Sequence, residues 1–183
     1  MTVEPLAIPE VKLVTLKKFG DHRGFFVETY SRRVLAEGGV DIEFVQDNHS
    51  LSATSGTIRG LHYQLPPFSQ GKLVRVLRGA VLDVAVDIRR GSPTFGQHVS
   101  AILSADNVTM IYVPVGFAHG FETLEPNTEV AYKVTNYYSP QHERAIMWND
   151  LSLNIPWRAK ETDAVLSGKD KIAPLLVNAT EIF

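Results

Sequence analysis

The chain has 183 residues, long enough to bury a sizeable core, and its 44% hydrophobic and 21% charged residues exclude a disordered polymer. Lys and Arg number 18 against 20 Asp and Glu, a net charge of −2, so no global basic field exists for nucleic acid or an anionic membrane and any anion must be bound locally. The absence of cysteine excludes disulfides, thiol catalysis and thiolate metal sites. Met1 to Glu10 carries acidic residues and two prolines without the apolar stretch of a signal peptide, and no apolar run approaches the roughly 20 residues that span a bilayer. A single soluble, cytoplasmic domain over residues 1–183 is expected.

Along the chain, short alternating runs are broken by Gly, Pro, Asn and Asp. Strands are predicted over Lys12–Phe19 and Phe25–Thr29. Ser31 is placed to cap a short helix through Val34–Glu37, stopped by Gly38-Gly39. Further strands follow at Phe44–Leu51, Thr57–Tyr63 and Leu73–Leu77, with Arg78-Gly79 as a turn. Next, Leu82, Val84, Val86 and Ile88 share one strand face, and Asp83, Ala85 and Asp87 take the other. Ser104–Asn107 reads as a hairpin connection between Gln97–Leu103 and Val108–Val113. Phe121–Leu124 and Val130–Val134 complete about ten strands. A second helix is expected over Ala159–Leu166. So many strands, with no crossover helices between them, indicate an all-β sandwich or barrel of the jelly-roll kind with a few short helices.

The chemistry concentrates in Arg59-Gly60-Leu61-His62-Tyr63-Gln64 and in Lys72. On a strand His62 and Gln64 share one face, which brings an ionisable ring and nearby cations together. Of the other histidines, His119 sits in Pro114-Val115-Gly116-Phe117-Ala118-His119, read as a tight turn, and His98 reads as solvated. His22, His49 and His142 lie in polar surroundings.

Two chemistries compete. A metal site would need more donors than two separated histidines, because Gln64 is a poor transition-metal ligand and protonated Lys72 has no lone pair; no metal is expected. Proton abstraction beside a ketone needs a base and a cation for the enolate oxygen, which His62 and Lys72 supply, with a tyrosine such as Tyr132 to return a proton. Taken alone, Lys72 also reads as a guard on an edge strand, the commoner role of a lone lysine, and Tyr132 as a β-favouring residue. Asp21–Glu28 is either a turn and an amphipathic strand or a ligand contact in which Arg23 pairs with phosphate and Phe26 stacks on a base.

The order of motifs adds a resemblance. It rests on Asp21-x-Arg23-Gly24-x-Phe26-x-Glu28, Gln46-x-Asn48-x-Ser50-x-Ser52, Gly56-Thr57-x-Arg59-Gly60-Leu61-His62-Tyr63-Gln64, Lys72-Leu73-Val74-Arg75-Val76 and Pro114-x-Gly116-Phe117-Ala118-His119-Gly120-Phe121. Tyr132-Lys133, Tyr138-Ser139-Pro140, Glu143-Arg144, Trp148-Asn149-Asp150 and Leu166-Ser167-x-Lys169-Asp170 continue it. From about Lys12 to Leu176 the chain resembles the dTDP-4-dehydrorhamnose 3,5-epimerases, metal-free cupin-fold enzymes that need no cofactor. The resemblance implies a cupin-like double-stranded β-helix and a dTDP-4-keto-6-deoxyhexose substrate. It also implies His62 as base, Asp170 as its orienting partner, Lys72 at the enolate and Tyr132 as acid. Arg59, Gln46, Asn48, Glu28, His119, Tyr138, Glu143 and Lys169 match substrate-binding positions. Arg23 and Phe26 match positions that reach the neighbouring subunit's site, in a homodimer with an exchanged N-terminal strand. A relative that epimerises only C3 or only C5, or a silent nucleotide-sugar binder, would share much of this pattern.

Overall fold

The computed structural model describes residues 1–183 and is nearly all β. The strands are β1 (Thr2–Pro5), β2 (Lys12–Thr15), β3 (Lys18–Asp21), β4 (Gly24–Val27), β5 (Gln46–Ser52), β6 (Ile58–Gln64) and β7 (Lys72–Arg78). They continue as β8 (Ala80–Asp87), β9 (His98–Ser104), β10 (Thr109–Val113), β11 (Phe117–Thr123), β12 (Thr128–Val134) and β13 (Glu143–Ala145). The only α-helix, α1 (Arg32–Glu37), follows Ser31 and ends at Gly38 and Gly39 as the sequence indicates, although the Ser31 side chain makes no capping bond.

A six-stranded sheet in the order β1-β2-β10-β7-β12-β5 faces a five-stranded sheet in the order β13-β6-β11-β8-β9. From β5 to β12 the chain repeatedly changes sheet, as a jelly roll requires. This corrects one reading: Ser104–Asn107 does not close a hairpin but carries the chain from β9 in one sheet to β10 in the other. Asn107 holds that corner, its Oδ1 accepting from Ser104 N and Thr109 N and its amide donating to the Ile102 carbonyl. The Arg78-Gly79 turn likewise passes from β7 to β8 between sheets. Gly79 has φ +76°, and a Cβ there would lie 2.4 Å from Thr128 Oγ1, so the corner demands glycine.

The barrel interior is closed by Val74, Val76, Val81, Leu103, Ile111, Phe117 and their neighbours. Each fully buried aliphatic side chain contributes roughly 1.5–3 kcal/mol. Outside the five-stranded sheet, Leu82, Val84, Val86 and Ile88 pack with Leu61, Ile146, Leu153 and Leu176 under the C-terminal segment. The alternation read on β8 is therefore real, but its polar face is also buried: Asp83 and Asp87 have no exposure. Outside the six-stranded sheet, Leu35 of α1 packs on Val14, Leu73, Met110 and Tyr112.

The helix expected over Ala159–Leu166 is absent. The Glu122 carboxylate accepts Arg158 N and Ala159 N at 2.7 and 2.8 Å, and Val165 pairs with the Gly56–Ile58 backbone. Backbone groups that a helix would use are committed to the sheet instead. This strap crosses to Thr57 and then delivers Ser167 and Asp170 to β6. No helix is long and apolar enough to cross a membrane.

Candidate active site

One end of the barrel interior is polar. Lys72 on β7 and Tyr132 on β12 point inward from the six-stranded sheet, on the same alternation as Val74 and Val130. β7 lies between β10 and β12, so Lys72 is not an edge-strand guard. His62 on β6 and His119 on β11 face them from the other sheet, paired directly across the strands. The result is a two-lobed cleft. Its outer lobe is about 300 Å³ and is walled by Gln46, Asn48, Tyr138 and Glu143. Its inner lobe is about 190 Å³ and is walled by Ser50, Arg59, His119, Ser167 and Asp170. His62, Lys72 and Tyr132 belong to both lobes.

His62 Nε2 donates to Asp170 Oδ1 at 2.6 Å, leaving Nδ1 as the ring's proton acceptor. Asp170 is 2% exposed, and its second oxygen accepts the Ser167 hydroxyl at 2.8 Å. Burial pushes this carboxyl upward, but the His62 bond and charge, with the Ser167 hydroxyl, more than offset it and hold the group below its ordinary range. The pair is thus a carboxylate backing an imidazole, the arrangement that fixes a tautomer and stabilises the imidazolium formed on proton uptake.

Lys72 reaches across the cleft to within 3.4 Å of the His62 carbonyl. Removal from water lowers its pKa to about 8, against the pull of Asp83 and Glu143, so the ammonium persists at neutral pH in a poorly solvated place. Burial raises the Tyr132 phenol, with Glu143 and Tyr138 adding to the shift and Arg59 opposing it, so the phenol stays protonated and able to donate. His119 is held down, first by burial and then by Lys72 and His62, although Asp83 pulls the other way. Neutral His119 donates Nε2–H to the Asp83 carboxylate at 2.9 and 3.0 Å.

At the mouth, Tyr138 Oη and Lys169 Nζ both donate to Glu143 Oε2, at 3.1 and 2.7 Å. Burial raises Glu143, but the Lys169 and Tyr138 bonds bring it below its ordinary value. Gln64, on the His62 face, is scaffolding. Its amide donates to the Phe68 and Tyr137 carbonyls and accepts Ser139 N, so it pins the loop that carries Tyr138. No group of three or more His, Asp or Glu side chains is arranged as a ligand set for a metal.

His62, Lys72, Tyr132, Asp170, Gln46, Asn48, Arg59, His119, Tyr138 and Glu143 are therefore brought together, with Lys169 at the rim. Arg23, Phe26 and Glu28 are not. Arg23 and Phe26 stand on or beside the β3–β4 hairpin, which belongs to neither main sheet, and Glu28 is exposed just beyond it. His119 lies within β11 instead of in a tight turn. His98 is not solvated as expected: half-buried, it donates Nδ1–H to the Leu153 carbonyl at 3.0 Å because the C-terminal segment covers β9. Asp83 and Ser167 were missed as site residues. An Asp at every fourth position of β8 was the available signal for Asp83, but alternation alone does not tell an inward polar face from an outward one.

The sequence pattern of dTDP-4-dehydrorhamnose 3,5-epimerase matches residues 5–178. The chain belongs to this family. It is 52% identical over 176 residues to the dTDP-4-dehydrorhamnose 3,5-epimerase of Sinorhizobium fredii, covering 96% of this chain and 90% of the relative. Its fold superposes with a TM-score of 0.91 on the Bacillus anthracis dTDP-4-dehydrorhamnose 3,5-epimerase crystallised with TDP and PPi, at 51% identity over 95% of this chain and 98% of that one. The Legionella pneumophila dTDP-6-deoxy-D-glucose-3,5-epimerase, in complex with dTDP-4-keto-L-rhamnose, gives 0.92 at 47% identity over 97% and 94%. As a member of the epimerase family the chain is an isomerase with a cupin-like jelly roll, and the cleft lies within the matched residues.

Proposed function

We propose that the enzyme inverts C3 and C5 of dTDP-4-dehydro-6-deoxy-D-glucose to give dTDP-4-dehydro-L-rhamnose, with His62 as base, Lys72 as enolate stabiliser and Tyr132 as acid. The observation that carries this reading is the placement of the Asp170-backed His62 and the protonated Tyr132 on opposite walls, with the Lys72 ammonium reaching between them.

The C4 ketone acidifies the hydrogens on both flanking carbons. His62 Nδ1 takes one of these protons. The C–H electron pair becomes a C=C bond, and the carbonyl pair moves onto O4. Lys72 stabilises that oxyanion by charge. Tyr132 then delivers a proton to the carbon from the opposite face and the ketone re-forms with inverted configuration. Because C3 and C5 flank the C4 carbonyl, holding O4 at Lys72 keeps both carbons within reach of one base. No electrons are gained or lost by the sugar. Arg59, at the inner lobe, is suited to the diphosphate, since Ser52 Oγ and the Leu51 carbonyl hold its guanidinium in place. Gln46, Asn48, Tyr138, Glu143 and Lys169 supply the remaining polar contacts of the nucleotide sugar, and His119, held by Asp83, faces the hexose.

The working unit in this reading is a homodimer of chains that each form one domain over residues 1–183. N-terminal exchange is supported by the β3–β4 hairpin, whose Phe19, Phe25 and Phe26 are 52, 62 and 69% exposed and which carries Arg23. β1 itself pairs with β2 of its own chain, so the hairpin is the element free to cross. Arg23, Phe26 and Glu28 then complete the neighbour's nucleotide site.

The test is incubation with dTDP-4-dehydro-6-deoxy-D-glucose in D₂O, following both positions by NMR. Exchange and inversion at C3 and C5 are expected. Reaction at one carbon alone would make the enzyme a mono-epimerase, and exchange at neither would overturn the catalytic reading.

A further inference from the structure

Arg59 and His62 are three residues apart on β6, and on a regular strand residues three apart face opposite ways. Both nevertheless line the inner lobe of the cleft. The reason lies in the pairing with β11. His62 lies opposite His119 and Arg59 opposite Phe121, so three steps along β6 match two along β11. The extra residue is a β-bulge, an irregularity that re-aims side chains beside many active sites. The surroundings agree on both sides of it. Beyond the bulge, Leu61 and Tyr63 pack in the apolar layer outside the five-stranded sheet, which leaves His62 inward. Before it, Phe121, the partner of Arg59, belongs to the barrel interior, and Glu122, the partner of Ile58, faces outward to the Arg158 and Ala159 amides. Arg59 accordingly crosses the barrel, its Nε donating to Ser52 Oγ and its Nη2 to the Leu51 carbonyl, both at 3.1 Å.

Gly60 takes up the extra step at φ +123°, a conformation that a residue with a side chain holds only under strain. It packs directly on Gly120. A Cβ on Gly60 would stand 2.7 Å from the Gly120 Cα and from the His119 carbonyl oxygen, and a Cβ on Gly120 would stand 2.8 Å from the Arg59 carbonyl oxygen. All of these are backbone atoms, so a side chain at either position must push β6 and β11 apart at the bulge. We infer that the Gly60–Gly120 contact is a positioning device for the reaction: it lets β6 gain a residue between Arg59 and His62, and so brings the guanidinium and the base into one cleft. The inference rests on the epimerase reading, in which an anionic substrate needs both groups. The two glycines touch no substrate and act through Arg59.

The experiment is a double-mutant cycle on dTDP-4-dehydro-6-deoxy-D-glucose with Gly120→Ala and Arg59→Ala. Gly120 has no positive φ, so its alanine variant tests the contact without backbone strain of its own. Arg59→Ala should lower kcat/KM about 10- to 100-fold, as expected for a charged hydrogen-bonding group. Gly120→Ala should lower it about tenfold in the wild-type background and less than about threefold once Arg59 is gone. Equal penalties in both backgrounds, or an unaltered kcat/KM in either single variant, would overturn the inference, since the glycines would then not act through Arg59. A second measurement needs no change at position 120. In wild type, the Arg59 Nε–H resonance, identified by its loss in Arg59→Ala, should shift when dTDP binds. A resonance unmoved by saturating dTDP would overturn the inference by placing the guanidinium outside the cleft. If wild type neither turned over the parent sugar nor bound dTDP, the epimerase reading itself would fall.

Discussion

Replacing Asp170 by Asn keeps the shape of the side chain and removes its charge. In the resting enzyme the amide oxygen still accepts from His62 Nε2, so the bond that was 2.6 Å long loses only its charge assistance. The larger loss comes once His62 has taken a proton, because the imidazolium then has no counter-charge. A charge-assisted hydrogen bond is worth about 1.5–3 kcal/mol. Two charges about 4 Å apart at an effective dielectric near 20 attract by about 4 kcal/mol. The His62 side chain is 33% exposed, so water screens part of the second figure. A net loss of about 2–4 kcal/mol from the transition state corresponds to a kcat lowered about 30- to 1,000-fold. KM should change by less than about threefold, because Asp170 is buried behind the imidazole and bonds to it and to Ser167. One base serves both carbons, so deuterium exchange at C3 and C5 should slow by the same factor. The assay is steady-state kinetics with NMR-detected exchange in D₂O, with the melting temperature as a check on folding. A kcat within twofold of wild type, or a loss confined to KM, would refute the dyad reasoning.

Lys72 sets the expected alkaline limb. Its folded pKa of about 8 means that the cation needed at the enolate is present below that pH and lost above it. kcat/KM should therefore fall about tenfold per unit above pH ~8, and Lys72→Arg, which keeps its charge, should move the limb upward; a profile flat to pH 10 would count against the role. Tyr132→Phe removes the proton donor but not the base, so exchange at C3 should survive better than inversion, and equal losses in both would argue against Tyr132 as the acid. For the dimer, Phe25→Asp with Phe26→Asp alters two side chains that are 62 and 69% exposed, so the barrel should stay folded. Sedimentation should show monomers and activity should fall; a dimer that persists unchanged would place the interface elsewhere.

The β-rich fold was legible because the alternation on β7, β8 and β12 is a local property of backbone geometry, and the glycine corner at Gly79 is local too. The helix at Ala159–Leu166 was misread because propensity gave way to long-range capture by Glu122 and Thr57. The hairpin at Ser104–Asn107 was misread because local turn chemistry is the same whether the next strand joins its own sheet or the opposite one.

By itself, the sequence determined the strand periodicity, the presence of a histidine, a lysine and a tyrosine in or beside predicted strands, and, through its ordered motifs, the family. Tertiary structure alone decided how those groups meet. His62 and Asp170 are 108 positions apart and touch because the C-terminal strap pairs Val165 with Thr57. Asp83, on a strand apolar on its other face, turned inward to hold His119 because both faces of that sheet are covered. Ser50, one serine of an alternating row, was left without a partner while Ser52 took Arg59. Periodicity fixes which face a side chain takes; only packing of the two sheets and the strap fixes what lies opposite that face.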